Sequence, residues 1–344
     1  MRLIIPDGYK PLITLKETEK AIQMMKDHFE SGLSSDLRLR RVTAPLFVLK
    51  GTGLNDDLHG VERPIGFKIK DMRNQEAEVV QSLAKWKRMM LRDYDIQIGH
   101  GIYTDMNALR PDEELDNLHS VYVDQWDWEK AIHRDERTLD TLKEAVRKIW
   151  DNVKRSEFYM YSFYSHITPS LPEEITFIHS EELYEMYPDL PARDRESRIA
   201  EKHGAVFIIG IGSELPDGKP HDRRAPDYDD WSTETIKGFK GLNGDIIVWN
   251  TVLECAAEIT SMGIRVDKDE LIRQLELTDS MDKIDLLFHR RLLNDELPSS
   301  IGGGIGQSRT AMQLLKKAHI GEIQSAIWPG EMVAHCRKSG IILI

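Results

Sequence analysis

Three separated clusters in this chain carry residue types that could hold a phosphate, a cation or a carboxylate. The stretch "IGGGIGQSR" has glycine at four of the five positions from Gly302 to Gly306 and ends in Arg309. Glycines let backbone approach a ligand closely, and an arginine opening the following helix suits a phosphate. The alternative is a tight loop packed on a sheet; Arg309 favours contact with a phosphate or an adenine. No Gly-Lys-Ser/Thr follows, which excludes a Walker loop, and no βαβ unit surrounds the glycines as a dinucleotide fold requires. Arg110 stands just before a loop leading into "HSVYVDQWDWE", a place from which an arginine can fork a phosphate with two N–H bonds. Asp245 and Glu258, in "NGDIIVWNTVLECAAEITSMGIR", form the kind of carboxylate pair that shares Mg²⁺ with substrate phosphates. Arg265 ends that stretch, and a buried arginine needs a carboxylate partner from protein or ligand.

Two further segments are charged without being explained by an ordinary element. "HDRRAPDYDDW", His221 to Trp231, crowds Arg223 and Arg224 against Asp222, Asp227, Asp229 and Asp230, with neither a helical stripe nor strand alternation. "QSLAKWKRMML" places Lys85, Lys87 and Arg88 on a helix, where such charges ordinarily form a solvated face.

These groups need a scaffold, and the periodicities supply one. Ile22, Met25, His28, Phe29 and Leu33 recur at helical spacing, so a long helix is expected from about Leu15 to Leu39, with Thr14 and Glu17 as a capping box. Further helices are expected at Ser82–Leu91, Leu139–Phe158, Lys268–Leu277 and Ser280–Asn294. Strands are expected at Pro64–Asp71, Glu76–Val80, in "VTAPLFVLK", in "ITFIH", in the apolar run "GAVFIIGIG", and as a pair within 243–265. "HSVYVDQWDWE" alternates Val121, Val123, Gln125 and Asp127 against Tyr122, Asp124, Trp126 and Trp128, a strand with a polar face. Strands cluster without regular intervening helices, which predicts an α+β fold with an antiparallel sheet flanked by helices.

Composition bounds the partners. The 344 residues are 40% apolar and 30% charged, with mean hydropathy −0.44, as in an ordinary globular protein. No apolar run approaches the roughly 18 residues of a membrane span. The start, MRLIIPDGYK, lacks the apolar stretch of a signal peptide, so a cytoplasmic protein is expected, with no membrane partner. Cys255 and Cys336 are the only cysteines and stand in no metal-ligand pattern, so zinc is not expected. Net charge is −12, and the short basic clusters Arg38–Arg41 and Arg195–Arg198 read as solvated helix faces. Nucleic acid is not expected as a partner, because phosphate neutralisation needs a basic patch.

Together the motifs resemble the catalytic domains of class II aminoacyl-tRNA synthetases, with the Arg110 loop and strand as their second signature and Gly302–Arg309 as their third. "QSLAKWK", "DQWDWE" and "EITSMGIR" are similar to segments of the aspartyl type, although Leu83 and Ala84 replace a Pro and a Gln there. "LAKWKRMML", "LHSVYVDQWDWE", "RAPDYDDWS", "GLNGDIIVWN", "SMGIRVD" and "IGGGIGQSR" together resemble the ammonia-dependent asparagine synthetases, the aspartate–ammonia ligases, from about residue 15 to 328. The resemblance implies a single synthetase-like catalytic domain over 1–344, with 1–14 as an N-terminal extension and 329–344 as a C-terminal tail. It also implies a homodimer, Mg²⁺ with ATP, and the substrates aspartate, ammonia and ATP.

The reaction implied activates the side-chain carboxylate of aspartate as a β-aspartyl adenylate, which ammonia then converts to asparagine, releasing AMP and pyrophosphate. Roles carried over are Arg110 on the α-phosphate, Arg309 at the far end of ATP, and Mg²⁺ on Asp245 and Glu258. His119, Ser120, Val121 and Tyr122 edge the adenine. Lys87 and Arg265 hold carboxylate oxygens of aspartate, with Gln125, Asp127 and Ser261 completing a polar wall. Arg224 meets the α-carboxylate, while Asp229, with Asp127, meets the α-ammonium. Asp56, in "GTGLNDDLHG", positions the amino acid or takes a proton from ammonium, with Asp57 adjacent as the alternative. Position 2 is Arg and neither Cys stands in a nucleophile's context, so free ammonia is expected over glutamine. The readings weighed against this one are a tRNA-charging enzyme and a non-catalytic synthetase paralogue.

Overall fold

The computed structural model describes residues 3–56, 58 and 62–344. The first long element is α1 (Leu15–Leu37), started by Thr14. Glu17 N donates to Thr14 Oγ1 and Thr14 N to Glu17 Oε2, the reciprocal pair expected of a capping box. Ala21, Met25, Phe29, Leu33 and Leu37 form its buried stripe. The helix ends short of Leu39 because Arg38 takes a left-handed conformation and turns the chain into β1 (Leu39–Arg41). Arg40 and Arg41 therefore lie on a strand rather than a helix face. Three short strands, β2 (Phe47–Leu49), β3 (Gly66–Ile69) and β4 (Gln75–Val79), make a small antiparallel sheet in the order β2-β4-β3. The helix α2 (Ala84–Asp93) follows.

Next come β5 (Gly101–Leu109), β6 (Tyr122–Ala131), α3 (Leu139–Phe163), β7 (Thr176–His179), α4 (Ser180–Met186), α5 (Ala192–His203) and β8 (Ala205–Ile209). The remainder comprises β9 (Asn243–Asn250), β10 (Cys255–Ile264), α6 (Lys268–Leu277), α7 (Leu287–Leu293), β11 (Ser300–Gly306), α8 (Gln307–Leu314) and α9 (Gly330–Lys338). Eight strands form the main sheet, ordered β1-β5-β6-β11-β10-β9-β8-β7. Its pairs are antiparallel except β1 with β5 and β7 with β8.

Three expectations are corrected. β5 is missing from the strands read in the sequence, because Thr104, Asp105 and Asn107 interrupt its apolar alternation. The helix expected at Ser280–Asn294 is a 3₁₀ turn, Met281–Asp285, followed by α7. Leu286 between them is extended and packs where the chain passes Gly53. The glycine stretch is not a loop: it is β11, a central strand of the main sheet.

The glycines of β11 have a packing reason. A Cβ on Gly304 would sit 2.2 Å from Gln125 Oε1, and one on Gly302 would sit 1.9 Å from Glu129 Oε2. Polar side chains of β6 occupy the space that side chains of β11 would need.

The core lies behind this sheet, against α1 and α3. Period-two alternation sends Trp126 and Trp128 of β6 into it, where both are fully buried and Trp126 stacks on Phe29 at 4.3 Å between centroids. Burying each such ring contributes roughly 2–3 kcal/mol over leaving it exposed. The same alternation turns Gln125, Asp127 and Glu129 to the opposite face. Chain ends join this core too: Ile4 N donates to Asn117 Oδ1 at 2.7 Å, and Met332, Cys336 and Ile341 are fully buried.

Candidate active site

Register across the sheet lines up the polar face. Asp127 of β6 stands opposite Gly304 of β11, Gly304 opposite Ser261 of β10, and Ser261 opposite Asp245 of β9. These four residues form one row across four adjacent strands. Glu258 joins them through an irregularity: pairing slips by one residue between Glu258 and Thr260. Without that bulge, period two would put Glu258 on the face opposite Ser261.

Above this row lies a cavity of about 660 Å³, within the range of small-molecule sites. Lys87, Arg110, Arg265 and Arg309 all line it, although they come from α2, the end of β5, the end of β10 and α8. Asp56, Gln125, Asp127, Arg224, Asp229, Ser261, His119, Ser120, Tyr122, Asp245 and Glu258 line it as well. Val121, between Ser120 and Tyr122, is not among the lining residues, and its carbonyl accepts from Arg110 N at 2.8 Å. Asp57 lies outside the described residues.

One end of the cavity suits a dicarboxylic amino acid. Lys87, almost wholly buried, donates from Nζ to Asp127 Oδ1 at 2.7 Å and to Gly303 O at 3.0 Å. The solvated helix face expected of Lys85, Lys87 and Arg88 is therefore wrong; all three are buried. Lys85 pairs with Asp227 at 2.9 Å, and Arg88 donates to the carbonyls of Pro298 and Val266. Buried cations persist only with such partners, and a single sequence does not reveal the partners.

Arg265 is held on two sides. Its Nε and Nη2 donate to Glu129, the latter at 2.7 Å, and Nη1 donates to Asp229. Burial disfavours its charge, but Glu129 and Asp229 outweigh burial and hold the guanidinium above its ordinary value. Five N–H groups less three bonds leave donors for a ligand. Ser300 Oγ donates to Glu129 Oε1 at 2.7 Å, fixing that carboxylate in turn. Asp127 Oδ2 is buried with no described donor, on a residue that lines the cavity.

The acidic loop 221–231 divides its labour. Asp229 reaches Arg265, while Arg224 pairs with Asp245 and, at 2.9 Å, with Asp222. Asp227 instead meets Lys85 and His289, and Asp230 meets Arg137; neither lines the cavity. Those last two acids anchor the loop. Asp56, buried on the cavity wall, sits on a segment pinned by Asn55, whose Oδ1 accepts from Gln81 N at 2.9 Å.

The other end suits a nucleotide. Arg110 Nε is buried with no described acceptor, and one Nη2 bond goes to Gln81 O at 3.4 Å. Arg309 donates to the carbonyls of Leu118 and Glu258, both at 3.2 Å, and lies 3.8 Å from Glu258 Oε2. Desolvation in the cavity and the neighbouring Asp245 push the Glu258 carboxyl up, against the pull of Arg309 and Arg224, although 42% of its side chain stays exposed. Asp245 Oδ1 is buried without a described donor. No group of three or more potential ligands gathers among the described residues, so a cation here needs oxygens from a substrate.

Glu129, which holds Arg265, is not among the site residues read from the sequence, although it ends the "DQWDWE" strand motif. Its signal is the alternation itself, since Gln125 and Asp127 continue to Glu129 at period two.

Comparison with known proteins extends this picture to the whole chain. The aspartate-ammonia ligase family model matches residues 16–340. Proteins named aspartate–ammonia ligase include one from Bacteroides fragilis, 58% identical over 99% of this chain and 99% of its own length. One from Parabacteroides distasonis is 57% identical over the same shares, and one from Clostridium perfringens 52% identical over 100% of this chain and 99% of its own. Among solved structures, asparaginyl-tRNA synthetase from Pyrococcus horikoshii, complexed with asparaginyl-adenylate, has a TM-score of 0.67 at 17% identity, covering 91% of this chain and 70% of its own. Asparaginyl-tRNA synthetase from Entamoeba histolytica has a TM-score of 0.63 at 14% identity, covering 90% and 67%. These two establish the class II synthetase fold. With the family model and full-length relatives in agreement, the chain belongs to the aspartate–ammonia ligase family.

Proposed function

We propose that the chain makes L-asparagine from L-aspartate and ammonia through a β-aspartyl adenylate, and that the cavity above the Asp127–Gly304–Ser261–Asp245 row is where it does so. The observation carrying this reading is the convergence of Lys87, Arg110, Arg265 and Arg309 on that one cavity. A side-chain oxygen of aspartate attacks the α-phosphorus of ATP and pyrophosphate leaves. Ammonia then attacks the acyl carbon, the C–O bond breaks, and AMP departs with that oxygen. Both anions must approach, so the first step asks for positioning and fixed positive charge more than for covalent help.

Arg110 supplies charge at the α-phosphate and Arg309 at the far phosphates. Lys87 and Arg265 grip aspartate's carboxylate oxygens against Gln125 and Ser261. Arg224 faces the α-carboxylate, and Asp229 with Asp127 faces the α-ammonium. Asp56 stands ready to hold ammonium and receive its proton, since only the neutral amine attacks. His119, Ser120 and Tyr122 border the base. The Pyrococcus neighbour, which holds an asparaginyl-adenylate on the same fold, supports this class of intermediate.

Mg²⁺ fits the Asp245–Glu258 pair: both residues line the cavity, and Asp245 Oδ1 has no described donor. When bound, it neutralises phosphate charge. Asp245→Asn is expected to raise the Mg²⁺ concentration for half-maximal ATP binding on the order of tenfold to a hundredfold, read by equilibrium dialysis. An unchanged Mg²⁺ requirement would remove Asp245 from the site. The homodimer and the cytoplasmic location belong to the same reading; no described helix is long and apolar enough to cross a membrane.

The test uses aspartate labelled with ¹⁸O in its side-chain carboxylate, with ATP, Mg²⁺ and ammonium. Asparagine, pyrophosphate and AMP carrying one label atom are expected. ADP as product, or unlabelled AMP, would overturn the adenylate.

A further inference from the structure

The side-chain amide of Gln324 is a buried polar group to which neither the packing nor the chemistry above gives a use. Gln324 lies just beyond the 3₁₀ turn Ile320–Glu322 that follows α8, is 5% exposed, and lines the cavity. Its Nε2 donates to the carbonyl of Tyr122 at 3.0 Å. Only the nitrogen end of an amide can donate to a carbonyl, so this bond fixes the orientation of the group. Oε1 therefore points away from Tyr122, and it is buried with no described donor. Such an orphaned acceptor is costly to bury. The cost is recovered if a ligand brings the donor.

The surroundings say what kind of ligand. Leu118 and Ile4 line the same cavity beside Tyr122, and Ile320, whose carbonyl accepts from Gln324 N at 3.1 Å, lines it too. These apolar surfaces suit a flat base. The position is held rigidly as well. Ala326 N donates to Ile344 O at 3.1 Å and Ile344 N to Gly321 O at 2.8 Å, so the end of the chain braces the Gln324 segment.

We infer that Gln324 Oε1 accepts a hydrogen bond from the exocyclic amine of the nucleotide's adenine and so selects a 6-aminopurine. This rests on the reading of the cavity as an ATP site. A guanine would present its O6 acceptor to Oε1, two acceptors face to face with no proton between them. The buried group would then be a specificity-determining contact: it rejects nucleotides that lack the donor more than it tightens those that have it.

The experiment compares ATP with purine riboside 5′-triphosphate, which lacks only the 6-amino group, in the wild-type chain and in Gln324→Leu and Gln324→Met. In wild type, kcat/KM for ATP is expected to exceed that for the deaminated nucleotide by roughly 10- to 100-fold. In the variants the ratio should fall to within about threefold, with ATP the nucleotide that loses. A purely structural brace on Tyr122 would depress both nucleotides equally and leave the ratio at its wild-type value; that result overturns the assignment. A wild-type ratio near one overturns it too, and needs no variant to fold. Absence of any turnover with ATP in the wild-type chain would instead overturn the ATP reading, and this inference with it.

Discussion

Arg265→Lys is expected to lower kcat/KM for aspartate by roughly 100-fold or more while the chain still folds. The reason is geometric. Arg265 spans two carboxylates at once, Glu129 through Nε and Nη2 and Asp229 through Nη1, and keeps further donors for a ligand. A lysine ammonium is a point donor and reaches one of those acids, not both. The released acid swings, and with it the wall that faces the substrate. Arg265→Ala goes further, because it leaves Glu129 and Asp229 buried with uncompensated charge; breaking a buried pair this way costs about 3–5 kcal/mol. The lysine variant thus separates the two roles: its thermal midpoint should fall less than that of Arg265→Ala, since one of the two acids keeps a cation, while its steady-state kinetics collapse. A lysine variant whose aspartate KM and kcat both lie within threefold of wild type would remove Arg265 from the substrate site.

The ends of this network were unequally legible in the sequence. The substrate roles of Arg265 and Lys87 come from motifs that resemble a known family, not from spacing that reveals a pocket, although Arg265 already stands out at the end of the Asp245–Glu258 stretch. Spacing alone put Lys85, Lys87 and Arg88 on a solvated face, and all three are buried. Helix periodicity reports which face is apolar, and it is silent about a cation whose partner lies 40 residues away, as Asp127 lies from Lys87, or 142 away, as Asp227 lies from Lys85.

Local rules worked where the cause was local. The Thr14–Glu17 box starts α1, and alternation along β6 sorted Trp126 and Trp128 from Gln125 and Asp127. They failed where a neighbour decided the outcome. Gly302 to Gly306 look like a loop because glycine is a poor strand former, yet the side chains of Gln125 and Glu129 require that emptiness from the strand beside them. Glu258 faces Asp245 only because of a one-residue bulge, which no pattern in "CAAEITSMG" announces. Gln324, past the last recognised motif, became visible only once its partner Tyr122 was known.

Lys87→Met is expected to reduce aspartate-dependent exchange of pyrophosphate into ATP by roughly 1,000-fold, about 4 kcal/mol of transition-state stabilisation. Two of the three Nζ donors are engaged by Asp127 Oδ1 and Gly303 O, and the third is free for a substrate carboxylate in the cavity that Lys87 lines. Burial weakens the ammonium's hold on its proton and the Asp127 carboxylate opposes that, so the charge depends on its partner. Methionine matches the stem and removes the charge, which strands Asp127 in the interior, and the variant loses stability for that reason alone. The double variant Lys87→Met with Asp127→Asn resolves the ambiguity. Replacing both members of a buried pair by neutral groups is often close to neutral for folding, so the thermal midpoint should recover most of what the single change lost. Exchange activity should not recover, since no ammonium remains to meet the substrate carboxylate and the neutral Asn no longer serves the α-ammonium. If the double variant regained exchange along with stability, Lys87 would be a partner of Asp127 and nothing more, and the amino-acid end of the cavity would have to be assigned to Arg265 alone.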